Sequence, residues 1–248
     1  MPLSAVIITH NAGSQLEACL ASIGFADEIV VVDSASTDAT LEIARRYGAR
    51  VIDRELLGFG PQKQFAVASA AHDWVLCLDA DERVSEPLRS SIEAELKAPR
   101  SRVYCLCRCN RFLGRWLRHG EGYPDWIVRL FDRRAARWSD DAVHEKVLTD
   151  GPATKLVGDL LHESAETLER YLEKQNRYTT LQATRLRSEG RQVGALHLMF
   201  SPLARFFKFY ILRRGFLDGV PGLVHVTIGC MNSFSKYAKL IELQKSPQ

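Results

Sequence analysis

Short apolar runs alternate with segments of helical periodicity through the first hundred residues. The runs Ala5–Thr9, Glu28–Val32, Ala49–Asp53 and Trp74–Leu78 show little polar alternation, which is typical of strands buried on both faces. The segments between them place apolar residues at helical spacing. Strands separated by helices of this length predict a parallel sheet with helices on both faces.

Cap and turn residues predict where the helices begin. Ser36 or Thr37 is suited to cap the helix after the second strand, because a hydroxyl oxygen accepts bonds from the first backbone N–H groups. Pro61 predicts the start of a helix that runs through Ala71, and Ser85 the cap of another.

The pattern changes after residue 100. Short strand-like pieces, separated by Gly, Pro and charged turns, are residues 103–109, 126–131 and 143–148. Residues 163–190 are polar apart from one apolar stripe, which predicts a helix. The sequence therefore predicts a catalytic, ligand-binding domain over 1–160 and a helical C-terminal region over 161–248.

An amphipathic segment at about residues 200–218 lies in this C-terminal region. Apolar residues recur there at α-helical spacing, and basic residues flank them; the apolar members are Leu203, Phe206, Phe207, Tyr210 and Ile211. Such a helix is suited to lie on an anionic membrane, or to pack on the catalytic domain. The next apolar stretch, 219–234, is too short and too interrupted to predict a spanning helix, so we expect peripheral attachment.

Charge is distributed unevenly along the chain. The 248 residues are 46% hydrophobic and 25% charged, which excludes disordered, collagen-like and small disulfide-rich classes. The net charge of +3 hides nine basic against 15 acidic side chains in residues 1–100, and nine against three in 101–137. Residues 194–248 carry seven basic and two acidic side chains.

Cysteine usage and the N-terminus favour a cytoplasmic, reducing setting. No basic segment precedes the first apolar run, and no small-residue cleavage site follows it, so no signal peptide is predicted. Cys105, Cys107 and Cys109 alternate and would share one face of a strand about 6.6 Å apart, too far for a single zinc ion. We expect them to be packed side chains.

Small polar residues follow three of the predicted strands. They are Thr9–Asn11, Asp33–Ser36 and Asp79–Asp81, and the carboxyl ends of parallel strands are where such sheets bind ligands. The two carboxylates of Asp79 and Asp81 would suit a divalent ion on a diphosphate, since Mg²⁺ binds few carboxylates plus phosphate oxygens. A solvated strand-to-helix turn explains the same tripeptide equally well.

The usual phosphate-binding motifs are absent. The first strand is not followed by G-x-G-x-x-G, and the chain has no G-x-x-x-x-G-K-[ST], so hydride-transfer and P-loop functions lose their support. Asp33, at the end of the second strand, could accept hydrogen bonds from a ribose or a base edge. The remaining possibility is a site that binds a metal ion and a diphosphate without a glycine-rich phosphate-binding loop.

Four sequence motifs resemble the family 2 glycosyltransferases with the GT-A fold. They are SAVIITHN from Ser4, EIVVVDSASTDAT from Glu28, GFGPQKQ from Gly58 and VLCLDADE from Val75. Three later motifs resemble the branch that adds β-linked glucose to a heptose of the lipopolysaccharide core; they are YPDWIVRLFD from Tyr123, VHE from Val143 and RFFKFYILRRGFLDG from Arg205. The resemblance covers the chain to about residue 240.

The resemblance implies a GT-A fold, a mostly parallel Rossmann-like sheet, and roles for named residues. The residues expected to bind the nucleotide-sugar donor are Thr9, Asn11, Asp33, Ser36, Lys63, Asp79 and Ala80. Asp79 and Asp81 would hold Mg²⁺ or Mn²⁺ on the donor diphosphate. The chain lacks the Gln-x-x-Arg-Trp motif of processive synthases, which favours transfer of one sugar per encounter.

An inverting transferase needs a base to take the proton of the acceptor hydroxyl. Glu145 occupies the position where the resembling branch has a His-Glu pair, and Asp140 and Asp141 are alternatives. Asp125 is a weaker candidate for the base, and is also a candidate acceptor-binding residue.

Further candidate side chains have two explanations each. Arg129 is expected either to face an anion of the donor or acceptor, or to be a structural arginine at a sheet edge. His144 could be a packed histidine or a site residue. His119, His162 and His197 lack metal-binding spacing and are expected to be structural or surface groups.

The expected function is metal-dependent, inverting transfer of a hexose, glucose from UDP-glucose by resemblance, to a lipid-anchored saccharide of the lipopolysaccharide core at the inner membrane. Transfer to a polyprenyl phosphate is one alternative, and a non-catalytic nucleotide- or membrane-binding protein is another. Nucleic acid is not an expected partner, because the acidic strand ends would repel phosphate without a metal. The oligomeric state is open.

Overall fold

The computed structural model describes residues 1–142, 144–164 and 167–245. Internal contacts divide the chain into two units. The first comprises Met1–Cys109 and Asp125–Glu163, and the second comprises Asn110–Pro124 with the residues from Ser164 onward. The second unit therefore includes a segment that precedes the predicted boundary at residue 160.

Eleven strands form in the described residues. In chain order they are β1 (Leu3–Thr9), β2 (Glu28–Asp33), β3 (Arg50–Asp53), β4 (Trp74–Asp79), β5 (Glu82–Val84), β6 (Val103–Phe112), β7 (Arg115–Trp116), β8 (Asp125–Asp132), β9 (Ala136–Trp138), β10 (Val147–Thr149) and β11 (Thr154–His162). The main sheet has the order β3-β2-β1-β4-β8-β6-β11-β5. Strands β1 to β4 are parallel, as predicted, whereas β8 runs antiparallel to β4 and β6, and β5 antiparallel to β11.

Seven α-helices form in the same residues. They are α1 (Gly13–Ser22), α2 (Thr40–Arg46), α3 (Phe59–Ser69), α4 (Glu86–Lys97), α5 (Leu168–Ser188), α6 (Ala195–Phe206) and α7 (Gly219–Lys245). The prediction that Ser36 or Thr37 caps α2 is wrong, because the helix begins at Thr40 after Ala39 and no side chain caps it, while the Ser36 hydroxyl donates to Asp33. Helix α3 begins two residues before Pro61, where Phe59 and Gly60 donate to carbonyls of residues 141 and 142.

The core of the first unit lies on both faces of the sheet. Alternate residues of β4 point to opposite sides, so that Leu76 joins a cluster with Leu16 and Ile92, while Cys77 joins a second cluster with Val67. Strands β1, β2 and β4 are nearly fully buried as a result. Because an apolar layer packs on each face of the sheet, the strand ends that carry the polar residues are held in place.

In the second unit, α6 and α7 pack in antiparallel directions. Ser201 contacts Ser233 at 2.6 Å between hydroxyl oxygens, and His197 lies against Tyr237 with ring centroids 5.6 Å apart. A Cβ atom on Gly229 would lie 2.2 Å from a carboxylate oxygen of Glu121, so a larger residue there would displace the Glu121 side chain. None of the described helices is long and apolar enough to cross a membrane.

The predicted α-helical spacing of the stripe from Leu203 to Ile211 is wrong beyond residue 206. The backbone winds as a π-helix over Phe207–Leu212 and as a 3-10 turn over Gly215–Asp218. The wider π turn changes which side chains share a face. Phe206 and Tyr210 stack at 4.9 Å and are half-buried, whereas Phe207 and Ile211 are exposed.

Candidate active site

Asp33 organises the loops that follow β1 and β2. Its carboxylate accepts hydrogen bonds from the Thr9 hydroxyl at 2.7 Å, the Ser36 hydroxyl at 2.6 Å and the Ser36 N–H at 2.8 Å. The Ser36 hydroxyl oxygen in turn accepts from the Asn11 N–H at 2.8 Å. The structure therefore brings four of the predicted donor-binding residues into one network at the carboxyl edge of the sheet.

Two non-glycine residues in these loops adopt left-handed backbone conformations. Asn11 has a φ of 50° and Ala35 a φ of 57°. Such conformations cost free energy and cluster at functional sites. Beside them lies a cleft of about 610 Å³, a size that suits a nucleoside; its lining includes Asp33, Ala35, Ser36, Arg45 and Asp53.

Asp79, at the end of β4, is held between two cations. Its carboxylate oxygens contact the Lys63 Nζ atom at 2.8 Å and an Arg129 guanidinium nitrogen at 2.6 Å. Burial alone would raise the pKa of Asp79, but Arg129 and Lys63 hold it well below its usual range. Asp79 is thus ionised and already neutralised by the protein.

A β-bulge directs Arg129 toward Asp79. The register between β6 and β8 pairs Tyr104 with Leu130 but Cys105 with Val128, so Arg129 is the extra residue. Its side chain also donates to Glu82, which is fully buried, at 2.9 Å. Burial would lower the pKa of Arg129, whereas Asp79 and Glu82 raise it above its usual range. The Arg129 Nε atom has no partner among the described residues.

Lys63 links Asp79 to the predicted base. Its Nζ atom lies 2.8 Å from a carboxylate oxygen of Glu145, and its side chain is only 8% exposed. The Trp138 ring lies under both cations, 4.8 Å from Lys63 and 5.5 Å from Arg129. We call Lys63, Asp79, Glu82, Arg129 and Glu145 the charged cluster.

Close backbone packing positions the loop before Glu145. A Cβ atom on Gly60 would lie 2.2 Å from the Ser139 carbonyl oxygen, so only glycine lets α3 approach this loop. Asp140 is exposed and paired with Arg137 at 3.3 Å. Asp141 is also exposed, and its carbonyl accepts from the Gly60 N–H. Neither alternative base joins the charged cluster by a described contact, and Val143 lies outside the described residues.

Asp81 lies beside a histidine that the sequence analysis assigned to the structural or surface groups. The Asp81 carboxylate and the His162 Nε2 atom are 3.2 Å apart, and both side chains are about one-quarter exposed. The described residues include no cluster of three or more groups suited to hold a metal. Asp81 with His162 fits a divalent ion that takes its other ligands from a diphosphate, whereas the oxygens of Asp79 are occupied by cations.

The two remaining predicted site residues make no described contact with the charged cluster. Asp125 pairs with Arg108 at 2.8 Å. Ala80, in the turn between Asp79 and Asp81, packs against the apolar core.

Sequence reasoning placed three residues that shape the site outside it. They are Glu82, Trp138 and His162. Glu82 follows the predicted D-x-D directly, and this third carboxylate in four residues was a usable signal. Trp138 and His162 come from strands that only tertiary structure brings to this edge.

Comparison with known proteins places the chain in a family. The family model described as glycosyl transferase family 2 matches residues 4–149. The lipopolysaccharide core biosynthesis glycosyltransferase LpsC of Rhizobium meliloti is 29% identical, over 98% of this chain and 93% of that protein. An uncharacterized glycosyltransferase of Rickettsia typhi is 30% identical, over 97% of this chain and 87% of that one.

Among solved structures, the mannosyltransferase PcManGT of Pyrobaculum calidifontis, crystallised with GDP-Man and Mn²⁺, superposes with a TM-score of 0.54 at 18% identity. The match covers 98% of this chain and 88% of that one, and it confirms the predicted GT-A fold. The chain belongs to glycosyl transferase family 2.

Proposed function

We propose that this glycosyltransferase moves a hexose from a nucleotide sugar to a saccharide of the lipopolysaccharide core, in one inverting step. The observation that carries the proposal is the charged cluster at the carboxyl edge of the sheet, where Lys63 joins Asp79 to Glu145. The relationship to LpsC supports a saccharide acceptor, and the sequence motifs favour UDP-glucose as the donor.

The donor nucleoside would occupy the cleft at the ends of β2 and β3. Asp33 is buried and saturated by hydrogen bonds within the loop, so it positions Ser36 and Asn11 for this contact. The donor diphosphate would then extend toward Asp79 and Asp81. Lys63 and Arg129 provide two cations at that point, although the nearby carboxylates outnumber them.

A divalent metal, Mg²⁺ or Mn²⁺, would be held by Asp81 with help from His162. When bound, it would stabilise the negative charge on the leaving diphosphate. An imidazole nitrogen is a poor ligand for Mg²⁺, which takes oxygen ligands, so this pair favours Mn²⁺. The Mn²⁺ in the PcManGT complex agrees with that preference.

Glu145 would act as the base. It accepts the proton of the acceptor hydroxyl as the oxygen attacks C1 of the hexose, and the bond from C1 to the diphosphate oxygen breaks on the opposite face. The Lys63 ammonium, 2.8 Å from a carboxylate oxygen of Glu145, holds that carboxylate in position. Arg129 is buried against Glu82 and Asp79, and its role is to hold Asp79 at the strand end.

The second unit would attach the enzyme to the cytoplasmic face of the inner membrane. Six large apolar side chains there are 43–71% exposed, and we call them the 207–220 patch: Phe207, Ile211, Leu212, Phe216, Leu217 and Val220. Lys208, Arg213 and Arg214 are exposed among them. Apolar side chains interleaved with cations suit the interface of an anionic leaflet, which is where a lipid-anchored acceptor lies.

The test is transfer by purified protein from a panel of nucleotide sugars to truncated lipopolysaccharide, followed by mass spectrometry. Glu145→Gln is expected to lower turnover by about 10²–10⁴-fold, because it removes the base without changing the shape of the side chain. Asp140→Asn and Asp141→Asn are the matched variants and should retain turnover. Transfer to a polyprenyl phosphate with little loss in Glu145→Gln would contradict the proposal, because a phosphate acceptor is already ionised.

A further inference from the structure

Strands β8, β6 and β11 carry an aromatic and cationic surface that the charged cluster does not use. Lys155 on β11 places its Nζ atom 4.7 Å from the centre of the Trp126 ring on β8. Lys155 is exposed, Trp126 is half-buried, and Val157, two residues along β11, is 75% exposed. We call Trp126, Lys155 and Val157 the shelf.

The shelf spans three neighbouring strands. Strand β6 lies between β8 and β11, so Lys155 reaches across β6 to contact the ring. Cys107 on β6 pairs with Trp126 in the sheet. Cys105, two residues earlier, is half-buried; burial raises the pKa of its thiol, and the Lys155 charge opposes that rise. The Lys155 ammonium therefore lies over this part of β6 and contacts the Trp126 ring.

The shelf is continuous with the reaction centre along β8. Trp126 precedes Arg129 by three residues, which corresponds to about 10 Å along a strand. Arg129 contacts Asp79 in the charged cluster. A molecule that presents a hydroxyl to Glu145 and extends along β8 would therefore reach Trp126 with its next unit.

The chemistry of the shelf indicates what would bind. An indole ring offers a flat apolar surface that suits the C–H face of a sugar ring, and a lysine ammonium attracts a phosphate or carboxylate. The shelf residues include one cation and no anion, whereas Asp125 is already paired with Arg108. A neutral saccharide would use the ring alone, so the lysine selects an anionic unit.

We propose that Trp126 and Lys155 form an acceptor subsite that binds an anionic, phosphate-bearing sugar next to the one that receives the hexose. This inference rests on the proposed transfer to a saccharide acceptor. The ring positions the sugar, and Lys155 recognises its phosphate. Neither residue touches the reacting atoms, so the subsite governs acceptor affinity rather than the chemical step.

The test compares truncated core oligosaccharide before and after enzymatic removal of its phosphate. Lys155→Ala is expected to raise KM for the phosphorylated acceptor about tenfold and leave the dephosphorylated one unchanged, since a hydrogen bond to a charged group is lost. Trp126→Ala should raise KM for both acceptors, and Trp126→Phe should restore most of the affinity. In every variant kcat and the dissociation constant for UDP should match the wild type.

Lys97→Ala is the matched control, because Lys97 is an exposed lysine on α4. Equal changes in KM for the two acceptors in Lys155→Ala would overturn the phosphate assignment. A lower melting temperature with unchanged KM in both variants would show that the pair only stabilises the sheet. Absence of transfer by the wild-type protein would instead defeat the proposed function, so the two failures are distinguishable.

Discussion

Charged side chains are arranged in opposite ways in two regions, the charged cluster of the first unit and the 207–220 patch of the second. In the charged cluster, Lys63, Arg129 and Glu82 are buried, and each Asp79 oxygen has a cationic partner. In the 207–220 patch, apolar side chains are exposed and the exposed charges among them are cations, since Asp218 is buried. Burying paired charges fixes geometry, whereas exposing apolar groups leaves a surface ready for a partner.

This difference also predicts how the two regions respond to substitution. Removing one member of the charged cluster leaves a buried charge without compensation, which is costly to the fold. Removing one cation from the 207–220 patch weakens only its electrostatic attraction to an anionic surface. That attraction acts through water, so it is small and depends on salt. The expected effects therefore run from the buried sites to the exposed ones.

The largest stability effect is expected for Arg129→Met. The substitution leaves Glu82, which is fully buried, without its cation, so the free energy of unfolding should fall by about 3–5 kcal/mol. Urea unfolding followed by circular dichroism measures it. Arg137→Met is the control, because Arg137 pairs with an Asp140 side chain that is 79% exposed and should cost less than about 1 kcal/mol. Similar losses in the two variants would contradict the compensating role of Arg129.

A large effect on ligand binding is expected for Asp81→Asn. The affinity for Mn²⁺ in the presence of UDP should fall about 10–100-fold, because a carboxylate ligand is lost. Isothermal titration calorimetry with Mn²⁺ and with Mg²⁺ measures the change. His162→Ala should weaken Mn²⁺ binding more than Mg²⁺ binding, since Mg²⁺ takes oxygen ligands. Unchanged Mn²⁺ affinity in Asp81→Asn would remove Asp81 from the metal site.

The parallel half of the sheet was predictable because its signal is local. Buried strands such as β1 and β4 are continuous apolar runs, and their polar ends follow from the rule for parallel sheets. The antiparallel half has no such signal. The position of Arg129 depends on a bulge between β6 and β8, and no sequence pattern within β8 marks it.

The contacts within the candidate site were less predictable than its members. Lys63 and Glu145 were both candidates, yet their 2.8 Å contact joins residues 82 positions apart and needs the tertiary fold. His162 was set aside because its spacing from other histidines is wrong for a metal. The partner of His162 is the carboxylate of Asp81, in the turn after β4. The spacing between histidines gives no information about a partner of this kind.

A pH-dependent effect on stability is expected for Asp132→Asn in the first unit. Hydrogen bonds from Arg134, and then Arg102, lower the pKa of the buried Asp132 to about 2, although burial raises it. A lowered pKa in the folded state stabilises the protein above the ordinary carboxyl pKa of about 4, and the stabilisation disappears as pH falls through about 2. The variant should therefore lose about 2 kcal/mol at pH 7 and progressively less between pH 4 and pH 2.

Urea unfolding at pH 7, 5, 4 and 3 measures this difference, with Asp150→Asn as the exposed control. A difference between wild type and Asp132→Asn that stays constant over this range would mean that the ionised carboxylate is not what stabilises the fold.

The smallest effect is expected for Lys208→Gln in the 207–220 patch. One cation near an anionic surface contributes about 1 kcal/mol, so binding to phosphatidylglycerol vesicles should weaken about fivefold. Cosedimentation with these vesicles and with phosphatidylcholine vesicles measures it, and Lys97→Gln, with its lysine on α4, is the control. The loss should shrink as salt is raised, because the attraction acts through water. An equal loss on phosphatidylcholine would show that Lys208 supports the packing around Phe209, whose ring lies 5.1 Å from its Nζ atom, rather than an attraction to lipid charge.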